Sequence, residues 1–269
     1  MLRGNMQTGN FYCFTAGKES QTICRDITRD VRDVDWYLGD IDLKGFTHKV
    51  KNADLVIIVA NLNSFLEASN VELMVKVTEN LRVPALVYSI YPVKHSHKTG
   101  EQEITQALLG SIIKSAVFIP LGNDSLKNSK TKETPFVQHY TTKGFNSLLV
   151  RLIITMRAIV EAITRQELIG VDFADYCLFL ADKGLYQTKL YTQNGLSKVS
   201  IKNDSWLNAK SITATIFLPS DNALDLFSVI STSICNMVEG SNTLLLITPV
   251  IAECVKGEPV VVIIYNGPI

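Results

Sequence analysis

The side chains in this sequence whose types and spacing could do chemistry are few. Asp172 and Asp175 stand three residues apart in Val171-Asp172-Phe173-Ala174-Asp175, just after a long apolar-periodic segment. Carboxylates at that spacing suit a helix start: Asp172 as the N-cap, accepting orphan backbone N–H groups, and Asp175 in the first turn, where the helix dipole favours a negative charge. Gly17-Lys18-Glu19-Ser20 contains the residue types of a phosphate-binding loop. Such a loop needs an earlier glycine in a strand-loop-helix frame, and with a single glycine the stretch reads as a solvated loop. His95 and His97 are metal-ligand types, but no third ligand lies at suitable spacing, so they read as a polar loop and no metal is expected. The five cysteines (Cys13, Cys24, Cys177, Cys235, Cys254) are far apart and set among apolar neighbours, the pattern of buried free thiols in a reducing compartment. Cys177 follows Asp175 closely but has no basic neighbour to activate it.

The elements that must position these residues belong to a chain of 269 residues with 46% hydrophobic content and formal net charge +0. That length fits one large domain or two smaller ones, each able to bury a core. Balanced charge excludes the electrostatic footprint of a nucleic-acid binder. No basic run suits an anionic membrane, no apolar stretch is long enough to insert in one, and Met1 to Asn10 lacks the apolar core of a secretory signal. The expectation is a cytoplasmic protein.

Apolar runs alternate with helical periods in the first half. Asn10 to Phe14 reads as a strand, Thr15 to Ser20 as a loop, and a helix starts near Gln21. Asp35 to Leu38 is a second strand. Ala53 to Ala60 (ADLVIIVA) is a continuous apolar run, as in a strand covered on both faces. Glu67 to Leu81 places Val71, Met74, Val75, Val77 and Leu81 on one helical side. Pro84 to Ile90 is a strand, Glu103 to Ser115 a helix, Ala116 to Pro120 a strand, and Gly122 to Tyr140 an exposed loop. Phe145 to Thr164 is one long helix. Beyond it, Ile212 to Leu218, Leu244 to Val250 and Pro259 to Tyr265 are strands, with a helix from Ala223 to Gly240. Strand-helix-strand alternation implies a parallel sheet with right-handed crossovers. The expected fold class is α/β: a parallel-sheet, Rossmann-like first domain over 1–142, a long central helix over 143–169, and a smaller α+β domain over 170–269.

Ile163-Thr164-Arg165, Leu168 and Val171-Asp172-Phe173-Ala174-Asp175 resemble the loop after the central helix of FtsZ, where the family reads Ile-Thr-Arg-x-x-Leu-x-Asn-Val-Asp-Phe-Ala-Asp. The resemblance to the FtsZ/tubulin superfamily extends through Ala53 to Pro92 without a gap, through Ile119-Pro120 with Asn123-Asp124, and through Ile212 to Ile269. It implies that Asp172 and Asp175 act in trans, positioning or polarising the water that attacks GTP on the next subunit. Gly170 stands where the family has Asn. The stretch before the Ala53 strand is short for the family, which implies a missing strand-helix portion.

The family's phosphate loop, Gly-Gly-Gly-Thr-Gly-Thr-Gly, lets backbone N–H groups approach the phosphates with no side chain between. Asn63-Ser64-Phe65-Leu66-Glu67-Ala68-Ser69 occupies those positions, with no glycine left. Glu67 there would set a charge beside anionic phosphates, costing several kcal/mol at about 4 Å and an effective dielectric near 20. Leu149 falls where the family reads the guanine edge with Asn, and Phe145 keeps a nearby aromatic position. The resemblance therefore implies a filament-related protein without bound GTP or GDP, acting by self-assembly or by capping FtsZ-type filaments through the Asp172/Asp175 loop. The competing expectation is a divergent GTPase that holds GTP by an unusual loop.

Overall fold

A computed structural model of the chain describes residues 9–39, 42–90, 100–121, 135–165, 168, 171–192, 196, 204–255 and 257–267. Its first half is built strand by strand: β1 (Phe11–Thr15), α1 (Lys18–Ile27), β2 (Asp35–Tyr37), α2 (Leu43–Val50), β3 (Leu55–Ala60), α3 (Phe65–Leu81), β4 (Ala85–Ser89), α4 (Gly100–Ser115) and β5 (Val117–Pro120). Then come α5 (Pro135–Thr142), α6 (Ser147–Thr164), α7 (Phe173–Ala181), β6 (Gly184–Thr192), β7 (Ser211–Leu218), α8 (Ala223–Val238), β8 (Leu244–Ile251) and β9 (Val260–Asn266).

The strands form one nine-stranded sheet in the order β2-β1-β3-β4-β5-β6-β9-β7-β8. Pairing is parallel from β2 to β6; β9 runs antiparallel between β6 and β7. The α/β class with a mainly parallel sheet is thus the observed one. Every residue of β3 is buried, as β-branched LVIIVA requires of a central strand with helices on both sides. Alternate residues feed opposite layers: Cys13, Ile57 and Leu86 face α1 and α6, while Phe14, Val56 and Ile58 face α2 and α3. A third cluster packs α8 through Ile230 and Ile234 against Ile212, Ile216 and Ile263. Helix α6 is buried from Leu149 to Ile163, including Arg151, Thr155, Arg157 and Glu161. No helix among the described residues is long and apolar enough to cross a membrane.

Several elements differ from the reading of the sequence. Helix α1 begins at Lys18, inside the expected loop, because Ser20 Oγ accepts the Gly17 N–H (3.2 Å) and donates to the Gly17 carbonyl (2.9 Å). The stretch read as a loop to Tyr140 carries α5 from Pro135, which buries Phe136, Val137 and Tyr140. Helix α2 was not expected: it buries only Phe46 and Val50, a single i,i+4 pair, and is started by Asp42 accepting the Gly45 N–H at 2.6 Å. Strand β6 was also missed. It alternates Tyr186, Thr188 and Leu190 inward with Gln187 and Lys189 outward, so only one face is buried. Cys13 and Cys24 are buried as expected, whereas Cys177 and Cys254 are half-buried and Cys235 is exposed on the outer side of α8. His95, His97, Asn123, Asp124 and Gly170 lie outside the described residues.

Candidate functional site

Two turns meet at the carboxyl ends of β1 and β3. The strands pair from Phe11↔Leu55 to Thr15↔Val59, and Ala16 N–H continues the ladder to the Val59 carbonyl at 3.0 Å. The turns into α1 and α3 therefore leave side by side, and Asn70 of α3 fastens them by donating from Nδ2 to the Ala16 carbonyl at 2.8 Å. Ser64 caps α3, its hydroxyl accepting the Glu67 N–H at 3.5 Å.

Glu67 folds back into the space between these turns. It is 4% exposed, and its Oε2 accepts the Asn61 N–H at 2.7 Å. A Cβ on Gly17 would stand 2.6 Å from Glu67 Cγ and 2.7 Å from its Oε1. Gly17 has φ −178°, which any residue adopts, so glycine is needed here for close approach and not for backbone freedom. Asn61 links a second carboxylate, donating from Nδ2 to Glu19 Oε2 at 2.5 Å, while its Oδ1 accepts the Asn63 N–H at 3.1 Å. The buried Cys24 thiol beneath is pushed up first by burial and then by the charge of Glu67.

The other residues of the turn point elsewhere. Phe65 and Leu66 are 46% and 68% exposed, so their bulk lies outside the turn. Asn63 is exposed, Ser64 and Ser69 are half-buried, and Ala68 packs with Val71 beneath α3. Leu149 and Phe145 sit across the sheet, in the layer of α1 and α6. Leu149 donates its N–H to Asn146 Oδ1 at 3.0 Å, so an asparagine near the helix start is used as its cap. Beside the turn, a cavity of about 260 Å³ opens between α2 and α3, lined by Thr15, Asp42, Phe46, Asn70, Leu73 and Met74 among others. The buried Thr15 hydroxyl has no partner among the described residues.

Asp172 and Asp175 lie at the opposite end of the sheet. Helix α7 leads into β6, whose first residue Gly184 pairs with Val117 at the start of β5, and Phe173 packs on Phe11 at the start of β1 (ring centroids 5.8 Å). Asp172 is the N-cap of α7, its Oδ1 accepting the Ala174 N–H at 3.1 Å, and Asp175 is exposed in the first turn. Burial pushes the Cys177 thiol up, and the charges of Asp54 and Asp172 add to this. Leu178 is 60% exposed on the same helix. Strands of five or six residues at about 3.3 Å each separate the two ends by roughly 20 Å. Asp172 and Asp175 therefore cannot reach the Glu67 turn of their own chain. No cluster of metal-ligating side chains occurs among the described residues.

The part played by Glu67 is not carried by local signals: Ser64-x-x-Glu67 has the spacing of a capping box, which would aim the carboxylate at the Ser64 N–H and not at Asn61 and Gly17. Asp54 and Leu178 carried no comparable signal, since only the packing of β1 against α7 brings them to the acidic end.

No protein-family model matches the sequence, and no curated protein does. Solved structures do match the fold. An FtsZ point mutant from M. jannaschii superposes with TM-score 0.67 at 13% identity, covering 96% of this chain and 91% of that one. CetZ2 from Haloferax volcanii, solved as a GTPγS-bound protofilament, gives 0.61 at 12% identity, with 96% and 93% covered. TubZ from Bacillus thuringiensis serovar israelensis, in GDP-form protofilaments, gives 0.58 at 13% identity, with 97% and 85% covered. At such identities the likeness speaks for the fold, and it spans nearly the whole of each chain: this protein has the FtsZ/tubulin fold.

Proposed function

We propose that this chain is a nucleotide-independent assembly protein of the FtsZ/tubulin fold, adding end to end to further copies of itself. The observation that carries the reading is Glu67: the turn that would have to cradle phosphates holds the chain's own buried carboxylate, which repels a second anion and leaves it no room. Neither GTP nor GDP is then a cofactor, and Asp172 and Asp175 serve as contacts instead of catalytic groups.

Two further features support assembly. Phe65 and Leu66 are exposed at one end of the sheet and Leu178 at the other, near Asp172 and Asp175. Exposed apolar side chains at unlike ends suit a heterologous contact, which is open-ended and builds filaments. Structures of the fold solved as protofilaments, of CetZ2 and of TubZ, show that the fold supports such assembly in those proteins.

The test is sedimentation and light scattering of the purified chain without nucleotide. Assembly is expected to depend on protein concentration, to be unchanged by GTP, and to be lost in Leu66→Glu and in Leu178→Glu. Saturable GTP or GDP binding in calorimetry at millimolar nucleotide would overturn the reading and favour a GTPase. No self-assembly, with slowed growth of FtsZ filaments on addition of the chain, would point to capping through the acidic end.

A further inference from the structure

We infer that Glu67 is a tethered anion: its carboxylate does the mechanical work of a bound phosphate, holding the starts of α1 and α3 together, so that removing it leaves a site which free phosphate fills. The inference rests on the proposed nucleotide independence and names the group responsible for it.

A buried carboxylate is costly unless dipoles or a counter-charge offset its lost hydration. Glu67 is 4% exposed, and no lysine or arginine among the described residues forms an ion pair with it. Beside it lie the Asn61 N–H at 2.7 Å, the first turn of its own helix and the Gly17 start of α1, with the protonated Cys24 thiol beneath. The starts of two helices, each with a partial positive charge, thus lie beside one buried anion, a setting that elsewhere receives phosphate.

Ordinary helix capping does not explain this geometry. In a capping box Glu67 would return to the N–H of the N-cap Ser64. That N–H is already donated to the Asn61 carbonyl at 3.0 Å. Glu67 instead reaches beyond its helix to Asn61 N–H and across to Gly17, whose missing side chain makes the space. Asn61, whose backbone the carboxylate holds, donates from its side chain to Glu19 of α1 at 2.5 Å, so the turn that Glu67 fastens is itself bonded to the neighbouring helix.

The experiment compares full-length wild type, Glu67→Ala and Glu67→Gln by thermal melting in tens of millimolar inorganic phosphate and in sodium chloride of equal ionic strength. Glu67→Ala is expected to melt several degrees below wild type in chloride and to regain a clear part of that loss in phosphate by mass action. Wild type and Glu67→Gln, with the space still filled, are expected to show no phosphate-specific rise. Equal phosphate responses in wild type and Glu67→Ala overturn the inference. If Glu67→Ala does not fold in chloride, its refolding yield in phosphate decides: recovery supports the tethered anion and no recovery overturns it. The outcomes separate from those of the parent reading, because nucleotide binding by wild type sinks nucleotide independence whatever the variants do. Equal phosphate responses in a wild type that binds no nucleotide sink the tethered anion alone.

Discussion

Glu161 accepts two hydrogen bonds from Arg157, from Nε at 2.5 Å and from Nη2 at 3.0 Å, and the pair lies buried on the central helix α6. The same guanidinium donates from Nη1 to Tyr140 Oη at 2.5 Å and lies over the rings of Phe136 (5.0 Å) and Phe217 (5.6 Å). Burial alone would lower the arginine's affinity for its proton, but the hydrogen bonds and charge of Glu161 more than offset this, and its pKa is raised. One side chain thereby joins α5, α6 and β7.

Removing one partner of a buried ion pair leaves the other uncompensated. Glu161→Ala is expected to destabilise the fold by about 3–5 kcal/mol, read from urea midpoints, whereas the double change Arg157→Met with Glu161→Leu should cost much less or nothing. Similar losses in the single and double variants would show that the pair is not acting as a unit.

Gly17 and Glu67 share one space, so their substitutions should not add. Gly17→Ala is expected to cost about 1–3 kcal/mol by overpacking against the Glu67 side chain. In a Glu67→Ala background the same methyl meets an emptied space, and its cost should nearly vanish. A double-mutant cycle measures this coupling; full additivity would place the two residues apart.

Asp172 and Asp175 separate stability from contact. Asp172→Ala removes the N-cap of α7 and is expected to cost about 1 kcal/mol. Asp175→Ala, exposed and without a capping bond, should stay within about 0.5 kcal/mol of wild type. Loss of sedimentable assembly in Asp175→Ala at unchanged melting temperature marks an interface residue; unchanged assembly removes it from the contact.

Alkaline pH should weaken the fold. Burial raises the Cys13, Cys24 and Cys254 thiols and the Tyr88 and Tyr176 phenols, and it pushes Tyr140 up to about 12. These groups keep their protons longer in the folded chain than in the unfolded one. Their contribution is therefore complete below the unfolded values, about 8.5 for thiols and 10 for phenols, and is lost as pH rises through the folded values. Urea midpoints should hold steady from pH 7 to about 8.5, fall above it and steepen beyond 10, by up to roughly 1.4 kcal/mol per unit for each group. A flat midpoint from pH 8 to 11 would contradict this burial.

How much of this was legible in the sequence varied with the strength of local signal. The β3 run LVIIVA and the period of α3 place themselves, because a two-sided strand and a one-sided helix leave different apolar spacings. Asp172 is legible as a cap because capping is satisfied within a few residues. Helix α2 and strand β6 were not, because two buried residues in one helix, and a strand with Thr188 inward, leave a pattern too thin to stand out.

The sequence by itself determined the strand-helix alternation from β3 to β5, the central strand, the long helix α6 and the absence of glycine from the turn after β3. Only the tertiary structure decided where the side chains of that turn go: Phe65 and Leu66 outward, Glu67 inward against Gly17, a residue 50 positions away in the chain. It also set Asp172 and Asp175 at the far end of the sheet. Local sequence fixes periodicity and caps through neighbours a few residues apart, whereas the direction of a buried charge depends on which backbone dipoles the pairing of β1 with β3 brings beside it.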